Sequence, residues 1–367
     1  MIVATLTLLC GLALGPVVLR SGGTIAAELV EGVSAQGVLV RPAFDGGDVP
    51  IVSLVPWAEV LDIEGGWGEG EPYRGLADAV DRAERRLTRG DVSGARELLE
   101  PLAGEYLARS GPTSGAIASA LAICRVLRSD PSGAADAWLA WRASPLGPVR
   151  SWIDPETSLA PSIPPIFTPR EARAFIAAHA DRAGAPEHAN ELRAMYLAAA
   201  RAALGDRPED LQGPETRLRA DAGVRLVWEV VRSGADPDVS GRRSARDALR
   251  RRTRTPGPTW QDAWCRLAIG TSMMSEPDRM ESDAGAAELV GVVLGDQHTA
   301  PGLADLAAEL LIGYFEATDR PGHADAVRSM DRAAMSGLIP GANNAQGPTP
   351  DDPDSPPGAE TGSKDSP

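Results

Sequence analysis

The chain has 367 residues, 43% of them hydrophobic and only 4% aromatic, and a formal net charge of −15. That length exceeds one ordinary core and suits two units with tails, or one extended array. Residues 16–72 alone carry −7 and the stretch from Asp351 onward −4, which argues against a nucleic-acid partner, because such affinity comes largely from neutralising phosphates.

Residues 2–19 form an uncharged apolar run, and residues 1–15 are expected to be a signal peptide or N-terminal anchor. The run has no preceding Lys or Arg, and Leu9 stands before Cys10 where a lipoprotein site needs a small residue. The expectation is an exported protein, periplasmic or membrane-anchored in the cell envelope, with cleavage and retention both open. Membrane contact is expected only through this segment, if it is uncleaved.

From residue 16 to 64 the pattern changes to a period of two, with β-favouring runs at 17–20, 24–31, 38–41, 51–54 and 60–63. Glycine-rich turns separate them. Five short strands in this span resemble a small SH3-like or Sm-like β-barrel, with Trp57 sealing one end. Sm-like barrels often bind RNA, but the acidic balance here favours a structural or protein-binding role. Residues 65–75, beginning Gly65-Gly66-Trp67-Gly68-Glu69-Gly70, read as a flexible linker. They match neither GxGxxG nor a P-loop.

Residues 76–106 read as two amphipathic helices around an Arg89-Gly90-Asp91 turn. Leu76, Val80, Ala83 and Leu87 recur at helical spacing in the first, and Ala95, Leu98, Leu99, Leu102 and Tyr106 in the second. Gly90, Asp91, Ala95 and Leu99 resemble the turn and packing residues of tetratricopeptide repeats. Arg86, Ala83 and Leu107 depart from that pattern, and Pro101 should kink the second helix. The resemblance implies a scaffold that binds proteins or peptides and identifies no catalytic residues.

A second hairpin follows within the unit 76–143, with stripes of Ile117, Leu121, Cys124 and Leu127, then Ala135, Trp138 and Leu139. Residues 144–168 form a proline-rich, non-helical connector. Trp152, Ile163, Ile166 and Phe167 suggest that it packs over a surface; insertion into the concave face of its own helices as a blocker is the alternative. Thr168-Pro169-Arg170-Glu171 is a capping box that restarts the helices, and Thr259 with Asp262 repeats its logic. The unit 169–338 is expected to hold helix pairs near 168–204, 214–252, 258–294 and 301–335. Together these elements predict a mainly α protein: an α-solenoid of about six hairpins, tetratricopeptide-repeat-like, behind a small five-stranded β-barrel. Residues 339–367 are rich in Pro, Gly, Asp and Ser and should form a disordered acidic tail.

Motifs for chemistry are few. His179, His188, His298 and His323 show no HExxH spacing, and Cys124 and Cys265 have no histidine nearby in sequence. No metal, cofactor or catalytic residue is assigned, and Cys124 and Cys265 are expected to be packed thiols, with a disulfide between them the alternative. Residues 241–254 carry seven arginines against Asp247. Such a helix presents a solvated basic face, or pairs with an acidic surface such as this chain's own tail or β module. Arg82, Arg86 and Arg89, with Arg242, Arg243, Arg250 and Arg251, are the candidate partner contacts. The expected function is non-enzymatic: protein–protein interaction or scaffolding in the bacterial cell envelope, on a helical-repeat surface, with an unidentified protein partner. The alternative is an envelope enzyme acting on a glycan-type polymer through a carboxylate pair in a helical cleft.

Overall fold

The computed structural model describes residues 15–41, 52–128, 130–144, 152–179, 187–214, 220–255, 257–296 and 300–337. The expected signal or anchor segment (apart from its last residue, Gly15), Cys10, His298 and the acidic tail lie outside the described residues.

Among those residues six short strands form two antiparallel sheets. In one, β1 (Val17–Leu19) lies between β2 (Thr24–Ile25) and β6 (Val60–Ile63). In the other, β4 (Gly37–Val40) lies between β3 (Val30–Ser34) and β5 (Ser53–Val55). The expected single five-stranded barrel is therefore replaced by two three-stranded sheets, with no closed barrel among the described residues. A 3-10 turn at Ala27–Leu29 interrupts what the sequence presents as one run from 24 to 31, and register shifts accompany β1–β6 and β3–β4. Such irregularities bend a strand and end its pairing.

Twelve helices follow among the described residues. They are α1 (Glu71–Thr88), α2 (Val92–Tyr106), α3 (Pro112–Val126), α4 (Pro131–Arg142), α5 (Pro169–His179), α6 (Glu187–Ala203), α7 (Ala222–Ala235), α8 (Val239–Thr253), α9 (Thr259–Met274), α10 (Arg279–Gly295), α11 (Pro301–Ala317) and α12 (Pro321–Gly337). Each packs on the next, and α1 also meets α3, α7 meets α9 and α9 meets α11. The hydrophobic pattern placed these pairs well. At the first turn Gly90 takes φ +80°, and Asp91 then accepts a hydrogen bond from Gly94 N at 2.8 Å. Asp130 does the same for Gly133 N at 3.0 Å, so Asp-x-x-Gly starts the second helix of both hairpins. Helix α2 runs through Pro101.

Two local expectations need correction. Residues 65–70 are no flexible linker: Trp67 is buried, Gly68–Gly70 form a 3-10 turn and α1 begins at Glu71 rather than Leu76. Trp67 stacks on Trp57 at 5.9 Å between ring centroids, and Tyr73 stacks on Trp57 at 5.0 Å. The apolar area of these rings outweighs the flexibility that four glycines suggest. At α9, Thr259 is already helical and the N-cap position falls to Pro258, without a side-chain cap bond. The capping box at α5 does form. Thr168 N donates to Glu171 Oε2 at 2.8 Å and Glu171 N to Thr168 Oγ1 at 3.3 Å.

The connector between α4 and α5 packs as a strap. Ile153, Leu159, Ile163, Ile166 and Phe167 are buried in it. Trp264 Nε1 of α9 donates to Pro161 O and Tyr196 OH of α6 to Ile163 O, both at 2.7 Å. Backbone carbonyls with no helix or sheet partner are thus satisfied by side chains of the helices beneath.

Candidate functional site

A cavity of about 290 Å³ opens where the end of the strap meets α6, α7, α9 and α11. Pro165 to Pro169 form one rim. Its walls are small and apolar: Ala199, Ala202 and Ala203 from α6, Val230 and Val231 from α7, and Ala268 from α9. Gly234 of α7 and Gly313 of α11 also line it, and a Cβ built on either would meet no atom within 4 Å. Other helix glycines divide: a Cβ on Gly285 would lie 2.6 Å from Gly270 O, whereas Gly75, Gly104 and Gly302 also face open space. A helix-interior glycine costs about 1 kcal/mol relative to alanine, and at 234 and 313 close packing does not offset that cost. Those two positions keep the space open.

The polar side of the cavity is sparse. Ser233, Thr271, Ser272 and Ser275 line it, yet each donates its hydroxyl proton within the protein, to Val230 O, Leu267 O, Ser233 O and Ser272 O. The N–H donors at the wall are those of Arg207. Its Nε donates to Gly234 O at 3.1 Å and its Nη2 to Ser275 Oγ at 2.9 Å. Among the described residues no carboxylate lies within ion-pair distance of Arg207. Burial, and then the charge of nearby Arg242, push its pKa down, with Glu276 opposing. Glu309 lines the cavity from α11. Burial pushes the Glu171 carboxyl up, the Thr168 bonds hold it back, and the charge of Glu309 raises it further. Glu171 and Glu309 are therefore neighbours in charge, but Glu171 Oε2 is engaged in the cap.

No known protein family, curated protein or solved structure matches this chain. The site is therefore read from its own geometry.

The arginines nominated from sequence fall into different environments. Arg82, Arg86 and Arg89 are exposed on α1 and its turn. Arg82 Nε bonds the Asp78 carbonyl and Arg86 faces Asp91 at 3.8 Å. Arg243 and Arg251 are exposed on α8 and border a shallow recess there. Arg250 is half-buried, 3.2 Å from Asp247. Arg242 is 3% exposed and is no surface contact. Its Nε and Nη2 donate to Glu276 Oε1 and Oε2 at 2.9 and 3.0 Å. Among the described residues α8 pairs with other helices: Glu229 of α7 takes Arg252, Glu276 at the end of α9 takes Arg242 and Arg246, and Glu281 of α10 takes Arg243 and Arg246; the tail lies outside those residues. Arg207, the cation at the cavity, escaped the sequence reading because it stands alone, outside any arginine run.

His179 lies at the end of α5, with Nδ1 donating to Phe175 O at 2.7 Å and Nε2 3.1 Å from Asp136 Oδ1, off hydrogen-bond alignment. Cys124 and Cys265 are buried free thiols, not a disulfide. Burial pushes them up to about 11 and about 12 respectively, so neither is a thiolate nucleophile at neutral pH. Among the described residues no group of three or more His, Cys, Asp or Glu side chains is placed to hold a metal ion, and no helix is long and apolar enough to cross a membrane.

Proposed function

We propose that this protein is a non-enzymatic binding or scaffold protein of the cell envelope, built on a tetratricopeptide-like α-solenoid that holds partner polypeptides at the cavity beside the strap. One observation carries the reading. The helical face at α6–α9 already seats a non-helical peptide segment, the strap, by donating from Tyr196 and Trp264 to its carbonyls. The cavity is the open continuation of that seat. Stacked hairpins offer such a surface because their exposed side chains vary without disturbing the core, and an extended segment with satisfied carbonyls is a recurrent mode of peptide recognition.

The reading is tested by crosslinking and affinity capture from membranes and from the soluble envelope fraction. The bait's mature N-terminus is read in the same mass-spectrometric run. Recovery of one polypeptide at reproducible ratio, lost on filling the cavity, supports it; a monomeric bait without a partner sinks it. A mature N-terminus near Pro16 supports export with cleavage.

The second reading, an envelope enzyme with a carboxylate pair, draws on Glu171 and Glu309 beside the same cavity. The cap bond from Thr168 N to Glu171 Oε2 leaves that carboxyl less able to move a proton, so binding is the stronger reading. Glycan hydrolysis abolished by Glu309→Gln would reverse the order.

A further inference from the structure

We propose that the cavity receives the C-terminal residue of a partner polypeptide, with its apolar side chain in the space left by Gly234 and Gly313 and its free carboxylate on Arg207. The inference rests on the peptide-binding reading above and assigns the end of the chain that binds.

Three observations support it. The first is charge. Arg207 is a half-buried cation in an apolar wall, with no carboxylate of the described residues within ion-pair distance. An arginine has five N–H donors; the bonds to Gly234 O and Ser275 Oγ use Nε and Nη2. Its planar fork matches a carboxylate. Nearby Arg242 and Arg246 are already balanced by Glu276 and Glu281, and Glu309 lines the cavity from α11, so Arg207 is the cation there without a carboxylate partner among the described residues. A group that neutralises Arg207 on entering therefore gains more there than on an exposed surface.

The second is size. A cavity of about 290 Å³ holds roughly ten water-sized groups. That fits one large side chain with its carboxylate. Ligand pockets for whole small molecules run from about 300 to 1,000 Å³.

The third is continuity with a peptide seat. The rim from Pro165 to Pro169 is the end of a non-helical segment whose Pro161 and Ile163 carbonyls α9 and α6 hold through Trp264 and Tyr196. Of the hydroxyls on the wall, those of Ser233, Thr271, Ser272 and Ser275 donate to backbone carbonyls, Thr168 is engaged with Glu171 and Tyr314 donates to Asp283, which leaves Arg207 as the donor for a terminal carboxylate. A plain structural role for Arg207, tying the end of α7 to α9, accounts for its two bonds. It does not account for the glycines that hold the adjoining space empty.

The test is calorimetric titration of the full chain with one peptide in two forms, acetyl-Gly-Ala-Pro-Leu-Phe as the free acid and as the C-terminal amide, and with octanoate as a third probe. The free acid is expected to bind at least about tenfold more tightly than the amide. Arg207→Gln should reduce the acid to the affinity of the amide, and Arg207→Lys should retain part of the preference. Gly313→Leu should abolish binding of both while leaving the melting temperature unchanged or raised, since its new side chain meets no atom of the fold. Equal affinity of acid and amide, undiminished binding to Gly313→Leu, or no binding of either form at about 1 mM overturns the proposal. So does octanoate binding more tightly than the peptide, which would make the occupant a free amphipathic acid. If acid and amide bind equally and Gly313→Leu abolishes both, only the carboxylate assignment fails and the peptide-binding reading survives. If a captured partner stays attached to Gly313→Leu, the partner binds elsewhere. If capture and titration both yield nothing, both readings fail together.

Discussion

Glu276, at the end of α9, is tied to α8 through charge. Its two carboxylate oxygens accept from Arg242, and Oε1 also accepts from Arg246 Nη1 at 3.1 Å, while Arg246 reaches on to Ser272 and Glu281. Both arginines and Glu276 are almost fully buried. Removing the carboxylate leaves buried Arg242 without its ion-pair partner, while Arg246 keeps Glu281; breaking such a pair costs about 3–5 kcal/mol. The hydrogen bond from Arg242 holds the Glu276 carboxyl below its ordinary 4.5, although burial pushes it up. A depressed folded pKa stabilises the fold above the unfolded pKa, and that stability is lost as pH falls through the folded value. The wild-type melting temperature should therefore drop on acidification from about pH 5 toward pH 3. Glu276→Gln should melt lower at neutral pH and show a shallower slope over that window. Some slope will remain, because Arg125 likewise holds Glu100 down. Parallel slopes for the two proteins would refute this assignment. Nothing in a run of seven arginines distinguishes Arg242 and Arg246 from their exposed neighbours. The partners that decide it lie about 30 residues further along, in another hairpin.

Two kinds of helix glycine separate at the level of elements. Gly270 and Gly285 let α9 and α10 approach until each glycine faces the other's carbonyl, at 2.8 and 2.6 Å from a notional Cβ. A larger residue at Gly285 must push the helices apart, and overpacking of this kind typically costs about 1–3 kcal/mol. Gly313 fronts empty space, so a larger residue gains helix propensity of up to about 1 kcal/mol. Gly285→Leu should lower the urea midpoint and Gly313→Leu should hold or raise it, with the denaturant slope unchanged in both. A drop of similar size in the two variants would mean that the cavity is packed tighter than its geometry indicates. Helix boundaries were legible because apolar stripes, Asp-x-x-Gly starts and the Thr168–Glu171 box are local signals. Contact across a helix pair is not local, so Gly270 and Gly313 look alike in the sequence. The cavity that depends on the difference was invisible there.

Across the whole molecule the β module and the helices share one core, which runs from Val17 to Val327. The junction shows how. Helix α3 has no side-chain cap of its own; Gln36, in the β3–β4 turn, supplies it, accepting from Ser114 N through Oε1 at 2.9 Å and donating from Nε2 to Ser114 Oγ at 2.8 Å. Thr113 Oγ1 donates to Gln36 O and accepts from Trp57 N. Gly111, at φ +146°, must lack a side chain, since a Cβ there would lie 2.5 Å from Gln36 Oε1. Fully buried Trp57 closes the joint against Trp67 and Tyr73. The sequence marked the change of period at this boundary and thereby implied two units on a glycine hinge. The polar contacts of Gln36 and the aromatic stack make it a fixed joint. Scanning calorimetry of the intact chain should therefore show one transition for sheets and helices together. Trp57→Ala removes a large buried side chain, a change that costs about 3–5 kcal/mol, and should lower that single transition without splitting it. Gln36→Ala should lower it less, by about 1 kcal/mol, as loss of a cap does. Two transitions in the wild type, or a Trp57→Ala effect confined to one minor peak, would show that the β module folds apart from the helices.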